Sequence, residues 1–589
     1  MSSSNFPARG SVLGLHVIGN TTSAALFNDG ELVAAVAEER LVRQRRSRAF
    51  PRQAIDHCLK SSGMLSLDDI DQIVVAWNPG IQMRRINMSG FTQWRRYDPE
   101  WLYIVPNNLA DMYSGWDDEK DEAMSVGFGL DNDKRITYLK HHNAHAGWAY
   151  ASPFEEAAVA VFDEHGESVS VSLGVIRGNR PEVLRELPVN HSLGLFYATF
   201  TEFLGFTPNA DEWKVMGAAA YGDPLRFIEK IRSIVKYGGD SLFLDQHHFE
   251  FHNMRFGGYF TETLSRHLGM SSRDPDGPLT QDHHDLAASV QMVFEDMMVG
   301  LLNWLHAQVK IPRLVLNGGC CMNSVACGKV IANTPFKEIF VSPAPADPGT
   351  CIGGPLWLYG SMNRDGGLFR TVVTPYTGPV FNDEEIRRTL ERCKLGFRQC
   401  DDILDEVADR LVQGKVVGWF QGRMEFGDRA LGNRSILADP RDPGMKDRIN
   451  RSVKYREQFR PLAPSVLNEE AREYFKLPDG AEVNYMEQVY QVREDKRALI
   501  PSVVHSDGSS RLHTVRSEDN PLFHSLLTRF KDKTGVPVLL NTSFNINGEP
   551  IVASPEDALR TFISSGIDVL AIGNFLVEKE GVSVEGGRT

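Results

Sequence analysis

No apolar run in this chain approaches the ~18 residues needed to cross a bilayer, so no membrane-spanning helix is expected. The first ten residues, MSSSNFPARG, lack the charged and apolar regions of a secretory signal, which points to the cytoplasm. A surplus of positive charge is missing too. The net charge of −14 argues against broad nucleic-acid binding and against attachment to an anionic membrane surface. Cysteine is scarce: seven in the chain, with no CxxC pair. Cys320, Cys321 and Cys327 cluster, but their spacing fits no common zinc pattern. They read as buried small apolar residues in a reducing compartment. Low-complexity tracts are also absent, so the 589 residues should fold throughout, into at least two and up to four units.

Against this acidic background one segment runs the other way. Between Arg423 and Arg460 stand eight arginines and two lysines against six carboxylates. A charge run of this kind is often a solvated basic face. Here Gly422, Gly427 and Gly432 interrupt it, and Trp419, Phe420, Phe426, Leu431, Ile436, Phe459 and Leu462 frame it. That combination favours a folded pocket for a phosphate-like or carboxylate-like anion.

Short apolar runs dominate the first part of the chain. TSAALFNDG and ELVAAVAEE meet at Asn28-Asp29-Gly30, a strong hairpin signal. The pattern returns in AAVAVFDEHG and SVSVSLGVIRG, with a turn near Gly178-Asn179. Between the copies PRQAIDHCLKSSG places Ala54, Ile55, Cys58 and Leu59 on one helix face. Two hairpin-rich units, each followed by helices, suggest a duplicated α/β domain of the acetate-kinase/actin-like kind. Asn317-Gly318-Gly319 ends another strand, where backbone N–H groups can face phosphate or simply make a tight turn. EIFVSPAPADPGTCIGGPLW adds a strand, a proline-rich loop and a glycine pair opening a helix. Composition shifts near residues 362–380, which sets the expected boundary between domains at 1–370 and 375–589.

His141 and His145 stand four apart in KHHNAHAGWAYA, on one face of a helix. The pair alone serves equally as a core contact or as metal ligands. In the H-E-x-x-H pattern a Glu follows the first His. Here that place is His142, so a metalloprotease base is absent. Asp163 closes an apolar strand and Asp347 follows another with its proline loop, positions where a carboxylate is out of place unless it faces a cleft. Two imidazoles and two carboxylates suit Fe²⁺, Zn²⁺ or Mn²⁺ with open positions.

Several segments carry a specific resemblance: EFGDRALGNRSILADPR, NRSVKYREQFRPLAPSVL, LLNTSFNINGEPIVASPEDAL, AEER at 37–40, HHNAHA, DEWKVMGAAAYGDP, NGGCCMN and DPGTCIGG. Together they resemble the O-carbamoyltransferases, which include nodulation, cephamycin and tobramycin carbamoylating enzymes. The resemblance implies an actin-like N-terminal domain, similar to the universal tRNA threonylcarbamoyl-transferring protein, and a YrdC-like C-terminal domain. It also implies two reactions. Carbamoyl phosphate and ATP, with any accompanying Mg²⁺, would give carbamoyl-adenylate in the C-terminal domain. The N-terminal domain, holding iron, would pass the carbamoyl group to an acceptor hydroxyl of a small natural product such as an antibiotic precursor.

Carried over by motif, Arg429, Lys454, Arg460, Arg511 and Ser543 become candidates for carbamoyl phosphate and the adenylate, with Asn541 beside them. His141, His145, Asp163 and Asp347 match the family's metal ligands. Glu212 and Lys214 match a motif near the nucleotide, where a helix-start ion pair is the alternative, and Asn317, Gly318 and Gly319 would approach it.

The chain departs from that pattern in places. Asn20-Thr21-Thr22-Ser23 stands where relatives carry His-Asp, and an amide is no general base. Arg43-Gln44-Arg45-Arg46-Ser47 replaces a second His, His513 replaces a Gln, and Gly427-Asp428-Arg429 replaces Gly-Pro-Arg. Transfer would then rely on another group such as His16, on the substrate itself, on an amine acceptor, or on altered chemistry. A non-catalytic nucleotide- or metal-binding regulator and an actin-like small-molecule kinase are the alternative readings. The acceptor would depend on cleft loops, including the aromatic insertion Trp94–Asp118.

Overall fold

The computed structural model describes residues 10–19, 21–78, 135–250, 258–363, 368–456 and 460–579. Asn20 and the insertion at 94–118 lie outside them. The chain divides into two compact units. The first is built on residues up to Pro375 with Pro478–Glu482 and Glu487–Val489, the second on Tyr376–Leu477, Val483–Met486 and the chain from Tyr490.

The first unit carries two five-stranded sheets. One comprises β1 (Ser11–His16), β2 (Ser23–Asn28), β3 (Glu31–Ala37), β4 (Gln72–Val75) and β5 (Ile136–Tyr138), in the order β3-β2-β1-β4-β5. Asp29 and Gly30, with φ of 51° and 86°, make the hairpin that Asn-Asp-Gly predicts. The other contains β6 (Glu156–Phe162), β7 (Val169–Arg177) and β8 (Arg180–Pro188). A separate two-stranded pair, β9 (Val235–Gly238) and β10 (Ser241–Leu244), intervenes before β11 (Arg313–Asn317) and β12 (Glu338–Val341). The second five-stranded order is β12-β11-β6-β7-β8. In both sheets the first three strands pair antiparallel and the last two join parallel. The same wiring thus occurs twice. The helix Arg52–Ser62 buries Ala54, Ile55, Cys58 and Leu59, the face its periodicity predicts. The long helix Gln281–Val309 and the helix Leu193–Phe203 cover the second sheet with a continuous apolar core.

Glycines bring the site elements together. The helix expected to open at the glycine pair Gly353-Gly354 starts earlier, at Thr350, and runs to Met362. The pair lies inside it because packing requires it there. A Cβ on Gly353 would meet the Ala144 carbonyl at 1.9 Å, and one on Gly147 would meet the Gly353 carbonyl at 1.9 Å. The helix His141–Ala146 and the turn that carries Asp347 are held in contact by this close approach.

The second unit is built on one nine-stranded sheet. Its strands are β13 (Arg398–Gln399), β14 (Val417–Phe420), β15 (Arg434–Ala438), β16 (Ala463–Leu467), β17 (Gln488–Gln491), β18 (Ser509–Val515), β19 (Val538–Ser543), β20 (Val569–Ile572) and β21 (Phe575–Glu578). They lie in the order β13-β21-β20-β14-β15-β19-β16-β18-β17. The arginine-rich segment spans the β14–β15 turn and the loop before β16. Both units mix helices with sheets, so the chain is a mixed α/β protein.

Candidate functional site

Four side chains converge in the first unit. One ligand atom from each of His141, His145, Asp163 and Asp347 lies within 4.8 Å of the others. His141 Nε2 is 3.3 Å from Asp163 Oδ2 and 3.4 Å from Asp347 Oδ1, and His145 Nε2 lies 3.6 and 3.7 Å from the same oxygens. The two Nε2 atoms are 3.1 Å apart. The scaffold fixes their chemistry. His141 Nδ1 is 3.0 Å from the Ala76 carbonyl, which only accepts, so Nδ1 holds the proton and Nε2 presents a lone pair. Lone pairs of nitrogen and carboxylate oxygen face one another and need a shared cation between them. Asp163 Oδ2 is buried without a hydrogen-bond partner, as expected of an oxygen reserved for that cation. The donor set therefore fits a divalent transition metal.

Electrostatics agree in the metal-free protein. Burial opposes charge on His141, but the facing carboxylates of Asp163 and Asp347 outweigh it and hold its pKa well above the ordinary value. Burial likewise opposes charge on Asp163, yet the two imidazoles hold its carboxyl well below the usual range. The cluster binds positive charge strongly.

Neighbouring groups hold the ligands, and one of them, Glu167, is absent from the motifs. Glu167, buried, accepts the His141 backbone N–H at 3.1 Å and that of Asn78 at 2.7 Å, fixing the start of the His helix. Asn317 Nδ2 donates to the His145 carbonyl at 2.8 Å, and Gly319 N–H donates to Asp163 Oδ1 at 2.9 Å. Gly318 N–H donates to the Pro345 carbonyl at 2.9 Å. Both glycine amides thus serve the scaffold in this structure. Glu167 sits in the polar segment DEHGES just after β6, where nothing local sets it apart from Glu164. His16, at the end of β1, is 1% exposed, and its Nε2 stands 4.0 Å from Asp347 Oδ2. Burial pushes the His16 pKa down to about 4, so it is neutral at physiological pH. Glu212 accepts the Asn209 backbone N–H at 2.5 Å, and burial raises its pKa. Lys214 pairs with Asp211 at 3.0 Å, an ion pair at the helix start.

The second unit sorts the arginines. Arg434 is wholly buried. It donates to the carbonyls of Gln421, Asn433, Pro379 and Gly422 and lies 3.6 Å over the Phe420 ring, so it braces the fold. Arg441 pairs with Asp439, Arg448 with Asp568, and Arg423 donates to the Thr377 carbonyl at 2.6 Å. Arg511 on β18 differs. Burial and the adjacent charges of Arg429 and Arg456 push its pKa well down, as like charges drawn together out of water do. Lys454 Nζ reaches Ser543 Oγ at 3.2 Å and Asn545 Oδ1 at 2.7 Å. The Arg460 carbonyl accepts from Asn450 at 3.0 Å, fixing the end of the arginine run. Asn541 and Ser543 share a face of β19.

Family comparison assigns this architecture to a class. Residues 11–356 match the family model for the carbamoyltransferase N-terminus and residues 408–579 the one for the carbamoyltransferase C-terminus. The chain belongs to the carbamoyltransferase family and is a transferase. Among its relatives, nodulation protein NolNO of Sinorhizobium fredii is 36% identical over 96% of this chain and 79% of its own length. Nodulation protein NolO of Bradyrhizobium diazoefficiens is 39% identical over 76% of this chain and 80% of its own. An uncharacterized protein of Synechocystis sp. is 36% identical over 96% of each.

Proposed function

We propose that this chain is an ATP-dependent carbamoyltransferase whose two domains, residues 1–370 and 375–589, divide the reaction. The observation that carries the reading is the gathering of Arg429 and Arg456 around half-buried Arg511, close enough to depress its pKa, in the unit that also holds Lys454 against Ser543. Arg460 completes the set. Dense positive charge of this kind suits carbamoyl phosphate, a small hydrolysable dianion. In the C-terminal, YrdC-like domain, water cleaves carbamoyl phosphate to carbamate and inorganic phosphate. The carbamate oxygen then attacks the α-phosphorus of Mg²⁺-bound ATP, forming carbamoyl-adenylate and releasing pyrophosphate. The arginines and Lys454 neutralise the phosphates throughout.

The N-terminal domain passes the carbamoyl group from AMP to a hydroxyl or amine of a small natural product. The repeated strand order in its two sheets supports an actin-like fold for it. His141, His145, Asp163 and Asp347 would hold a divalent metal (Fe²⁺, Zn²⁺ or Mn²⁺), which when bound would supply Lewis acidity. Glu212, Lys214, Asn317, Gly318 and Gly319 line the adenosine side, and neutral His16 is placed to take the acceptor's proton.

The test is product release by the purified full chain. Pyrophosphate and AMP should appear only when carbamoyl phosphate is present. Phosphorylation of a sugar without pyrophosphate would replace this reading with a kinase. Nucleotide binding without turnover under any acceptor would point to a regulator.

A further inference from the structure

Asn541 carries an unmet acceptor on the strand face it shares with Ser543. Its side chain is 1% exposed. Nδ2 donates to the Ala430 carbonyl at 3.1 Å and to Ser465 Oγ at 2.9 Å. A carbonyl only accepts, so the amide cannot be flipped and Oδ1 must face the other way. There Oδ1 is buried with no hydrogen-bond partner, an arrangement that native proteins rarely leave without a purpose.

The orientation is locked from behind. Ser465 Oγ, having accepted from Asn541, has one proton of its own, and His513 Nδ1 lies 2.8 Å away to receive it. His513 stacks on Phe523 with ring centroids 6.2 Å apart. Burial pushes its pKa down to about 3, so the ring is neutral and Nδ1 can accept.

Register places the unmet oxygen among the cations. Asn541 shares its face of β19 with Ser543, which meets Lys454 Nζ at 3.2 Å. On the other side Asn541 pairs with Ala463 of β16. Because Ser465 pairs with His513 in the parallel β18, Arg511 stands two residues earlier in the same cross-strand row as Ala463. Lys454, Arg429, Arg460 and Arg511 are donors only. They suit phosphate oxygens, but none can receive an N–H.

We propose that Asn541 Oδ1 accepts an N–H of the carbamoyl amide, so that this site selects carbamoyl phosphate over acyl phosphates without that donor, and that His513 acts through Ser465 as a positioning residue. The inference rests on the carbamoyl phosphate reading above and adds how the amide end is recognised. The oxygen is closed to water, so entry of the ligand shifts neighbouring side chains, a common adjustment on binding.

Calorimetric titration of the chilled full chain tests it, with carbamoyl phosphate and acetyl phosphate as probes, the latter holding a methyl group where the former has its amide. Wild type should bind carbamoyl phosphate ~10–100-fold more tightly. Asn541→Ala should lose that factor for carbamoyl phosphate while acetyl phosphate binding stays within ~3-fold. Equal losses for both probes would mean that Asn541 merely anchors Ala430, and would overturn the proposal. His513→Leu should narrow the preference ~3–10-fold and His513→Gln should restore it; an unchanged preference in His513→Leu removes the positioning role. Thermal melts verify folding, and Asn541→Ser gives the same comparison if the alanine variant does not fold. A wild type that binds neither probe defeats the carbamoyl phosphate reading itself. One that binds both equally leaves that reading standing and defeats this inference alone.

Discussion

Glu425 should prove a main support of the arginine loop. It is 2% exposed, and its Oε1 accepts the backbone N–H groups of Leu431 at 2.7 Å, Asn433 at 3.2 Å and Arg434 at 3.1 Å. Those bonds close the turn that displays Arg429. Hydrogen bonds to a charged group contribute ~1.5–3 kcal/mol each, and a neutral acceptor about 1 kcal/mol. Because the three donors share one oxygen, their sum is discounted. Glu425→Ala, which also strips buried Arg434 of a balancing negative charge, should cost about 3–5 kcal/mol locally. Glu425→Gln, keeping shape but not charge, should cost about 1–2 kcal/mol. Since about 1.4 kcal/mol is tenfold, amides in this turn should exchange on the order of 10² to several times 10³ faster in the alanine variant. Native-state hydrogen exchange of the full chain, read by mass spectrometry over residues 425–436, measures this directly, with β20 as internal reference. Protection within ~3-fold of wild type in Glu425→Ala would refute the argument.

Other outcomes follow from the same contacts. His141→Ala and Asp163→Asn should each lower bound metal by elemental analysis while carbamoyl-phosphate-dependent pyrophosphate release persists; unchanged metal content would sink the ligand assignment. Gly318→Ala should lose metal and about 2–4 kcal/mol of stability in urea titration, because φ is 93° and a Cβ would meet the Phe162 carbonyl at 2.2 Å. Arg434→Lys should cost about 2–4 kcal/mol by the same titration, since an ammonium cannot serve four carbonyls spread around a planar fork. His513 has its folded pKa depressed from 6.5 to about 3, so between those values the unfolded chain binds the extra proton. Its contribution is fully present above pH 6.5 and fades as pH falls toward the folded value, by up to about 1.4 kcal/mol per pH unit. The stability of His513→Gln should lack that slope, and identical pH profiles would refute the assignment.

What the sequence made legible was local chemistry. The Asn28-Asp29-Gly30 hairpin and the face of the helix Arg52–Ser62 follow from turn residues and period. Asp163 and Asp347 stand out because one carboxylate directly follows an apolar strand and the other follows a strand with its proline loop. Other features depend on partners distant in the chain. Nothing around Arg434 or Arg429 tells which one is buried under four carbonyls and which one stands beside Arg511, since both sit among glycines. The helix start at Thr350 was hidden because Gly353 is placed for contact with Ala144 rather than for helix formation. The order of the nine-stranded sheet is equally remote from local pattern: β14 lies between β15 and β20, which are far apart in the chain.

The hexapeptide His141–Ala146 shows why burial alone does not identify a functional side chain. Its three histidines are all 5% exposed or less. His142 turns toward Ser172, whose hydroxyl lies 2.8 Å from Nδ1, and burial pushes its pKa down to about 3. His141 is just as buried, yet two carboxylates drive its pKa the opposite way. A neutral imidazole beside a hydroxyl is what packing alone produces. A buried aspartate beside a nitrogen lone pair is costly without a cation, and the surroundings hold the group in place: Ala76 and Glu167 fix His141, Asn317 fixes the His145 carbonyl and Gly319 fixes Asp163. Two imidazole nitrogens and two carboxylates held together in this way form a group suited to a divalent cation.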